Sequence, residues 1–467
     1  MTAFRGIAAA ALIAAAARAQ QLAPPPPQPV QQPGSAQQQA APAPSNALTL
    51  EQAIQLALDR NYDLRRTQYQ SLSSEQDKVI ARAAILPKLD FNGSLSDTRN
   101  GGGQVTGTFT DPTTGAEVVQ VSRTEVFRGY GATLSATQLL FDGGKWWNNL
   151  AAADLNLASS EANVEEQRLT TVYTVEQRFY ELVRQQRQLQ VLGEAAKRSR
   201  DQADFTQRLF EGGRATQADV YAARANRDND EISRLGQETR VELARQDLAI
   251  TIGADPADPL TIVEPAAMQQ DPGVPPPAQG AVQTALARRP SLKAFALTAE
   301  AQRKSASAVA GDYWPVLSLS GSYGRQTRTL DDFTKPLDQA STLRGSINLT
   351  WNIFNGFATK GAVEKARIGE LLAENDLVNG RRGVASDVER AVAQLATARQ
   401  QVRIAAQSLQ NASENLRLAR TRQQVGVGTQ LEVRDAELKL TQAELARDNA
   451  LVDGHEAESA LRRAMGG

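Results

Sequence analysis

The chain contains no cysteine and one histidine, His455. The first absence excludes disulfides, thiolate metal sites, a thiol nucleophile and a lipid-modified cysteine anchor. With a single imidazole as well, most acid–base and metal chemistry lacks its usual groups, so neither a catalytic site nor a metal or cofactor site is expected. Gly454 and Glu456 flank His455 on a polar helix, where a surface position is expected. Neither sign of charge predominates, with 51 basic against 52 acidic side chains, so nothing favours a nucleic-acid partner. Also missing is any run of about 18 apolar residues, which a membrane-spanning helix would need.

The N-terminus carries the first positive signal. MTAFRG is followed by the apolar run Ile7–Ala17 and by Ala17-Arg18-Ala19, a small-x-small cleavage pattern. This predicts a secretory signal peptide over 1–19. Residues 20–46 are rich in Pro, Gln and Ala and predict a flexible tail unable to bury a core.

Beyond the tail the sequence is written twice. AIQLALDRNYDL (Ala53–Leu64) aligns with AVQTALARRPSL (Ala281–Leu292) at an offset of 228, which also carries Pro87 onto Pro315 and Gly93 onto Gly321. Further on the offset is 213: Phe141 meets Phe354, Gly143 meets Gly356, Gly213 meets Gly426, and Gly253 meets Gly466. The 15-residue difference falls in the stretch NGGGQVTGTFTDPTTGAE, a Gly/Thr/Asp-rich segment expected to be a loop. Two structural repeats follow, over 47–253 and 281–467, joined by a Pro-rich linker, 254–280. Each repeat reads helix, Pro, strand, loop, strand, very long helix, Gly turn, helix.

The long helices are expected over about 144–211 and 357–424. Val172, Val175, Phe179 and Leu182 fall at 3-4-3 spacing, and Val388, Val392, Leu395, Val402, Leu409 and Leu416 continue it in the second repeat. That is a coiled-coil seam. The strands, expected over 88–98, 130–142, 316–327 and 343–354, alternate strictly. Leu89, Phe91, Gly93 and Leu95 oppose Asp90, Asn92, Ser94 and Ser96; Ile347, Leu349, Trp351 and Ile353 oppose Ser346, Asn348, Thr350 and Asn352. Leu134 and Leu140 are placed together on the apolar face. The polar face is mostly Ser, Thr and Asn, as in a water-filled barrel. Phe141, Trp146, Trp147, Trp314 and Phe354 cluster at one strand end, as a membrane-interface belt would. Four strands cannot close a transmembrane barrel, and lipid does not tolerate open edges, so the barrel must be shared between copies.

The duplicated helix-strand-strand-helix-helix unit, the Pro before each outgoing strand, the Phe-x-Gly ending each returning strand, and the tips FEGGRATQADV and QVGVGTQLEVRD resemble the TolC-like outer-membrane efflux channel family. The resemblance runs from about Leu48 to Gly467. It implies a mainly α fold with a small membrane β-barrel: a homotrimer whose long coiled coils form an α-barrel across the periplasm, with four barrel strands per chain. It implies passive export through the outer membrane, in partnership with a periplasmic adaptor and an inner-membrane pump or secretion ATPase. Gly213 and Gly426 fall on the tip glycines where the adaptor docks, and Gly428 belongs to the same docking tip. Glu432 and Asp435, three residues apart on one helix face, fall on the acidic rings of the aperture. Asp219 falls on the acid that holds the tip closed. One departure stands out: the basic residue expected on the second tip is Gly428 here, leaving Arg214 or Arg434 to replace it. The competing reading is an exported periplasmic coiled-coil structural or adaptor protein without a pore, and an exported carboxylate enzyme is a distant third.

Overall fold

The computed structural model describes residues 47–101, 105–121, 125–329, 331 and 341–467. The signal peptide and tail expected over 1–46 lie outside them. The first repeat comprises α1 (Leu50–Arg60), α2 (Tyr62–Ala83), β1 (Lys88–Asn100), β2 (Val105–Thr110), β3 (Glu117–Val121), β4 (Glu125–Phe141), α3 (Lys145–Glu211) and α4 (Gln217–Thr251). The second comprises α5 (Ala278–Arg288), α6 (Pro290–Ala310), β5 (Val316–Thr327), β6 (Ser341–Thr350), α7 (Ala358–Gln424) and α8 (Gln430–Met465).

The helix before each proline is two helices. At Asn61 the backbone turns extended, and the Asn61 side chain accepts the Leu64 amide at 3.1 Å, capping α2. At Arg289 the same break is forced by Pro290, which disfavours helical geometry in the residue before it and then opens α6 as its first residue. Both long helices have 67 residues, about 100 Å at about 1.5 Å per residue.

Near the strand end the helices lie side by side in the order α2, α3, α6, α7; towards the turns the order is α4, α3, α8, α7. In both halves α3 and a helix of the second repeat meet in the middle, and the outer helices carry a face with no neighbour among the described residues. The main core sits where the two halves join: Val175, Phe179, Leu182 and Val183 of α3 pack with Leu248, Ile252, Met268 and Val452. Heptad positions Val388, Leu395 and Val402 are buried as the seam requires.

The linker is more ordered than its prolines suggest. Leu48 and Ile262 form a parallel bridge, and residues Ala266–Gln269 form one 3₁₀ turn whose Met268 is fully buried. Arg187 of α3 pairs with Glu264 and donates to the Met268 carbonyl at 3.2 Å. On the other side Glu458 accepts the Gly273 amide at 3.3 Å. His455 corrects the surface expectation: it is 6% exposed, with Nε2 3.3 Å from the Gln270 carbonyl and its ring beside Tyr180. The polar flanks misled because the linker, not solvent, covers that face. Gly454 is part of the same contact, since a Cβ there would lie 2.2 Å from Pro272 Cγ. A rigid ring cannot retreat, so Gly454→Ala is expected to lose about 1–3 kcal/mol through overpacking. A thermal melt that matches wild type would show the strap to be loosely held.

The sheet is antiparallel in the order β1-β4-β5-β6. Most of its rows keep one chemistry per face; Gln138, opposite Leu319, and the charged positions Asp97, Arg99 and Arg128 at the far end are exceptions on the apolar face. Leu89, Phe91 and Leu95 pair with Ala136, Leu134 and Tyr130; Leu134 pairs with Tyr323, and Leu317, Leu319 and Tyr323 pair with Leu349, Ile347 and Leu343. The other face carries rows such as Asp90, Ser135, Ser322 and Arg344. A bulge between Leu139 and Phe141 breaks the alternation, so that Phe141, not Leu140, pairs with Leu317 in the apolar row. Strand ends also differ from expectation: β4 starts at Glu125, and β6 stops at Thr350 rather than 354. The expected loop contains the hairpin β2–β3, whose turn is fixed by Asp111 accepting the Thr113 amide at 2.9 Å and the Thr114 hydroxyl at 2.8 Å.

Candidate gating site at the helical turns

Each long helix ends in the same turn. Gly213 and Gly426 have φ of 73° and 80°, the left-handed geometry that closes a helix. Arg214 N donates to Leu209 O at 2.7 Å and Gly213 N to Phe210 O at 2.9 Å; Val427 and Gly426 repeat the pattern onto Arg422 and Gln423. The next helix then opens on a threonine cap. Thr216 accepts the Asp219 amide, and Thr429 accepts the Glu432 amide, each at 3.2 Å. The two tips are thus built alike from the patterns G-x-x-T and T-x-x-acid.

The acids that follow have separate tasks. Asp219 accepts from the Thr216 hydroxyl at 2.7 Å and from its amide at 2.9 Å, and these bonds hold its carboxyl below the usual aspartate range. It is a helix cap, with no cation on it among the described residues. Glu432 lies 3.7 Å from Arg422, and Asp435 binds Lys439 at 2.6 Å; all four side chains are roughly half exposed or more.

Arg434 does not meet Asp219, although both line one cavity of about 170 Å³ with Gln202, Gln430 and Leu431. Instead its guanidinium grips Asp230 of α4 with two bonds, 2.7 and 2.9 Å, and both side chains are less than one-fifth exposed. This pair ties the α3–α4 coil to the α7–α8 coil. Higher on the same seam, Arg198 reaches Thr441 at 2.9 Å and Glu444 at 3.3 Å, and Arg184 holds Asp453 at 2.7 Å and Glu456 at 3.1 Å. Burial pushes the Glu444 and Glu456 carboxyls up, against the pull of their arginines.

Gly428, where the resemblance calls for a basic residue, has no room for one. A Cβ there would lie 2.8 Å from Gln423 N and 3.0 Å from Arg422 C. The missing cation is a consequence of how tightly the turn doubles back. Around it Val425, Val427 and Leu431 stand more than two-thirds exposed, an apolar tip without a partner among the described residues.

At the other end of the molecule Phe141, Trp147, Trp314 and Phe354 are exposed. Trp146 is not: it is 7% exposed, with its indole donating to the Ala81 carbonyl at 2.9 Å, so it packs α3 onto α2 instead of joining the belt. Adjacent tryptophans on a helix face different ways, and only one can point outward. Tyr313, Trp351 and Phe357 complete the exposed aromatic set. Sequence reasoning also missed Asp230, which carries no local mark, and Thr216 and Thr429, which the T-x-x-D/E capping pattern would have revealed.

A duplicated unit of strands set on paired helices of about 100 Å, with no helix among the described residues apolar enough to cross a membrane, matches one class of known protein. The model of the outer membrane efflux protein family matches residues 53–254 and 281–467, and the chain belongs to that family. Its location is accordingly the outer membrane, with the helices extending into the periplasm. The toluene efflux pump outer membrane protein TtgC and the antibiotic efflux pump outer membrane protein ArpC, both of Pseudomonas putida, are each 23% identical over 421 residues, covering 90% of this chain and 83% of theirs. Among solved structures, the CmeC outer membrane channel of Campylobacter jejuni is similar with a TM-score of 0.75 at 19% identity, over 89% of this chain and 85% of that one. The open-state MtrE channel of Neisseria gonorrhoeae gives 0.71 at 20% identity, over 90% and 89%.

Proposed function

We propose that three copies of this chain form one channel, the passive exit duct of an efflux pump, gated at its periplasmic tips. The observation that carries the reading is the placement of the unpartnered edges. On one side of the chain α2 runs into β1, a strand with a free edge; on the other β6 runs into α7. Both helices expose apolar side chains along those edges, Leu72, Val79 and Ile80 on α2 against Ile368, Leu371 and Leu372 on α7. One copy's β6–α7 edge therefore suits the next copy's β1–α2 edge. Three such joins give a closed sheet of about 12 strands, which satisfies every backbone group in lipid. The apolar rows face outward and the Ser/Thr/Asn rows line the water.

Closure at the other end is assigned to the tips. Glu432 and Asp435, repeated three times, make two anionic rings, and the exposed Val425, Val427 and Leu431 offer an apolar seat for a periplasmic adaptor linked to an inner-membrane pump. Opening means separating the α7–α8 coil from the α3–α4 coil, and the last tie before the tips is Arg434–Asp230. That pair takes the part the resemblance gave to Asp219 and a tip cation. Glu432→Gln with Asp435→Asn is expected to reduce the cation-over-anion preference of channels in planar bilayers by roughly half or more, since fixed charges in a pore ring set its selectivity. An unchanged reversal potential would remove both residues from the aperture, and the lack of any conductance from wild type would return the chain to a coiled-coil adaptor.

A further inference from the structure

We propose that the outer rim of the sheet binds the phosphate groups of lipids in the outer leaflet. The inference rests on the reading that the apolar rows face the bilayer. On that face β1 presents Leu89, Phe91, Gly93 and Leu95, and the next two outward positions are Asp97 and Arg99. Beside them, in the row of Asp97, β4 presents Arg128. On β5 the row after Tyr323 holds Arg325, and Arg328 lies just past the strand's end. Among the described residues the cations at this rim are arginines, of which Arg325 is buried. Among the described residues Asp97 is an acidic neighbour on the same face, and Asp331 lies beyond β5.

Arg99 and Arg128 are the exposed members on the two strands of the first repeat. Arg128 approaches Asp97 only to 3.7 Å, with both side chains more than half exposed, a contact that leaves most of its donors to solvent. The opposite rim is built differently: its large exposed side chains are mostly aromatic, and its lysines, Lys88 and Lys145, pair with Asp90 at 3.4 Å and Asp312 at 2.7 Å. One rim suits a generic water–lipid boundary and the other suits anions. The basic rim is at the end away from the helices, hence at the outer leaflet. Guanidinium forks match phosphate oxygens two at a time, which a lysine cannot do. Arginines placed directly above an apolar band thus fit a ligand with acyl chains below and phosphate above.

The test uses the full-length protein inserted in phosphatidylcholine vesicles and released for native mass spectrometry. The probes are bisphosphorylated lipid A, the same lipid with its phosphates removed, and inorganic phosphate as competitor. Arg99→Gln with Arg128→Gln is expected to lower retained bisphosphorylated lipid about tenfold, whereas Arg381→Gln with Arg382→Gln on α7 leaves it unchanged. Equal retention by the rim variant, equal binding of the lipid lacking phosphates, or full displacement by millimolar inorganic phosphate would each overturn the proposal. A rim variant that still conducts yet loses lipid supports it. A wild-type chain that does not enter vesicles overturns the membrane reading itself, and the rim proposal with it.

Discussion

If the tips gate the channel as proposed, Arg434→Ala is expected to shift it towards the open state by roughly thirtyfold in planar bilayers. The guanidinium makes two bonds to Asp230 across the junction of the two coils, with less than one-fifth of either side chain exposed. Removing it strands a carboxylate in a half-dry seam, which costs the closed arrangement about 2 kcal/mol or more. Splaying the coils lets Asp230 reach water, so the loss falls on the closed state and not on the open one. About 2 kcal/mol per chain is roughly a thirtyfold shift in that equilibrium. The same conductance should come from Asp230→Ala, and the two effects should not add, because each removes one pair. Arg417→Ala breaks an exposed pair with Glu414 on a single helix and should leave gating as it was. If Arg434→Ala conducts as wild type does, the latch lies elsewhere, and the Arg198–Glu444 rung is the next to test.

What could be read beforehand and what could not divides by the range of the interaction. The long helices, the strands and the glycine turns are written in spacings of a few residues, and the duplication is those same local patterns written twice, so the sequence carries them directly. Arg434 and Asp230 are 204 positions apart, and nothing near either one marks the other as its partner. His455 shows the same limit: its neighbours are polar, and the linker segment that covers it comes from the other side of the chain. Parity fails at the Leu139–Phe141 bulge because one extra residue reverses inside and outside without altering composition. The β2–β3 hairpin was hidden by glycines and threonines that suit a loop as well as a ribbon. The vacancy at Gly428, by contrast, was visible as a departure, and the structure supplies its cause in the backbone of Arg422 and Gln423.

Two neighbours on β6 offer the sharpest test of which way the sheet faces. Ile347 lies in the middle of the apolar rows, between Leu343 and Leu349, opposite Leu319. Asn348 lies on the other face, opposite Ser318, and its amide donates to the Ser320 hydroxyl at 3.0 Å. A lysine at the bilayer midplane of a β-barrel costs about 2–4 kcal/mol, and in a trimer that cost is incurred three times. Ile347→Lys is therefore expected to reduce detergent-resistant, membrane-inserted trimer by at least about tenfold. Asn348→Lys places the same charge one residue away, in water, at no such cost. It should assemble like wild type and move the reversal potential towards anions. A pore-free coiled-coil protein predicts the opposite for the first variant, since exchanging an exposed isoleucine for lysine would improve its solubility. Equal assembly of the two variants would mean that the apolar rows do not meet lipid, and the closed sheet would fall with them.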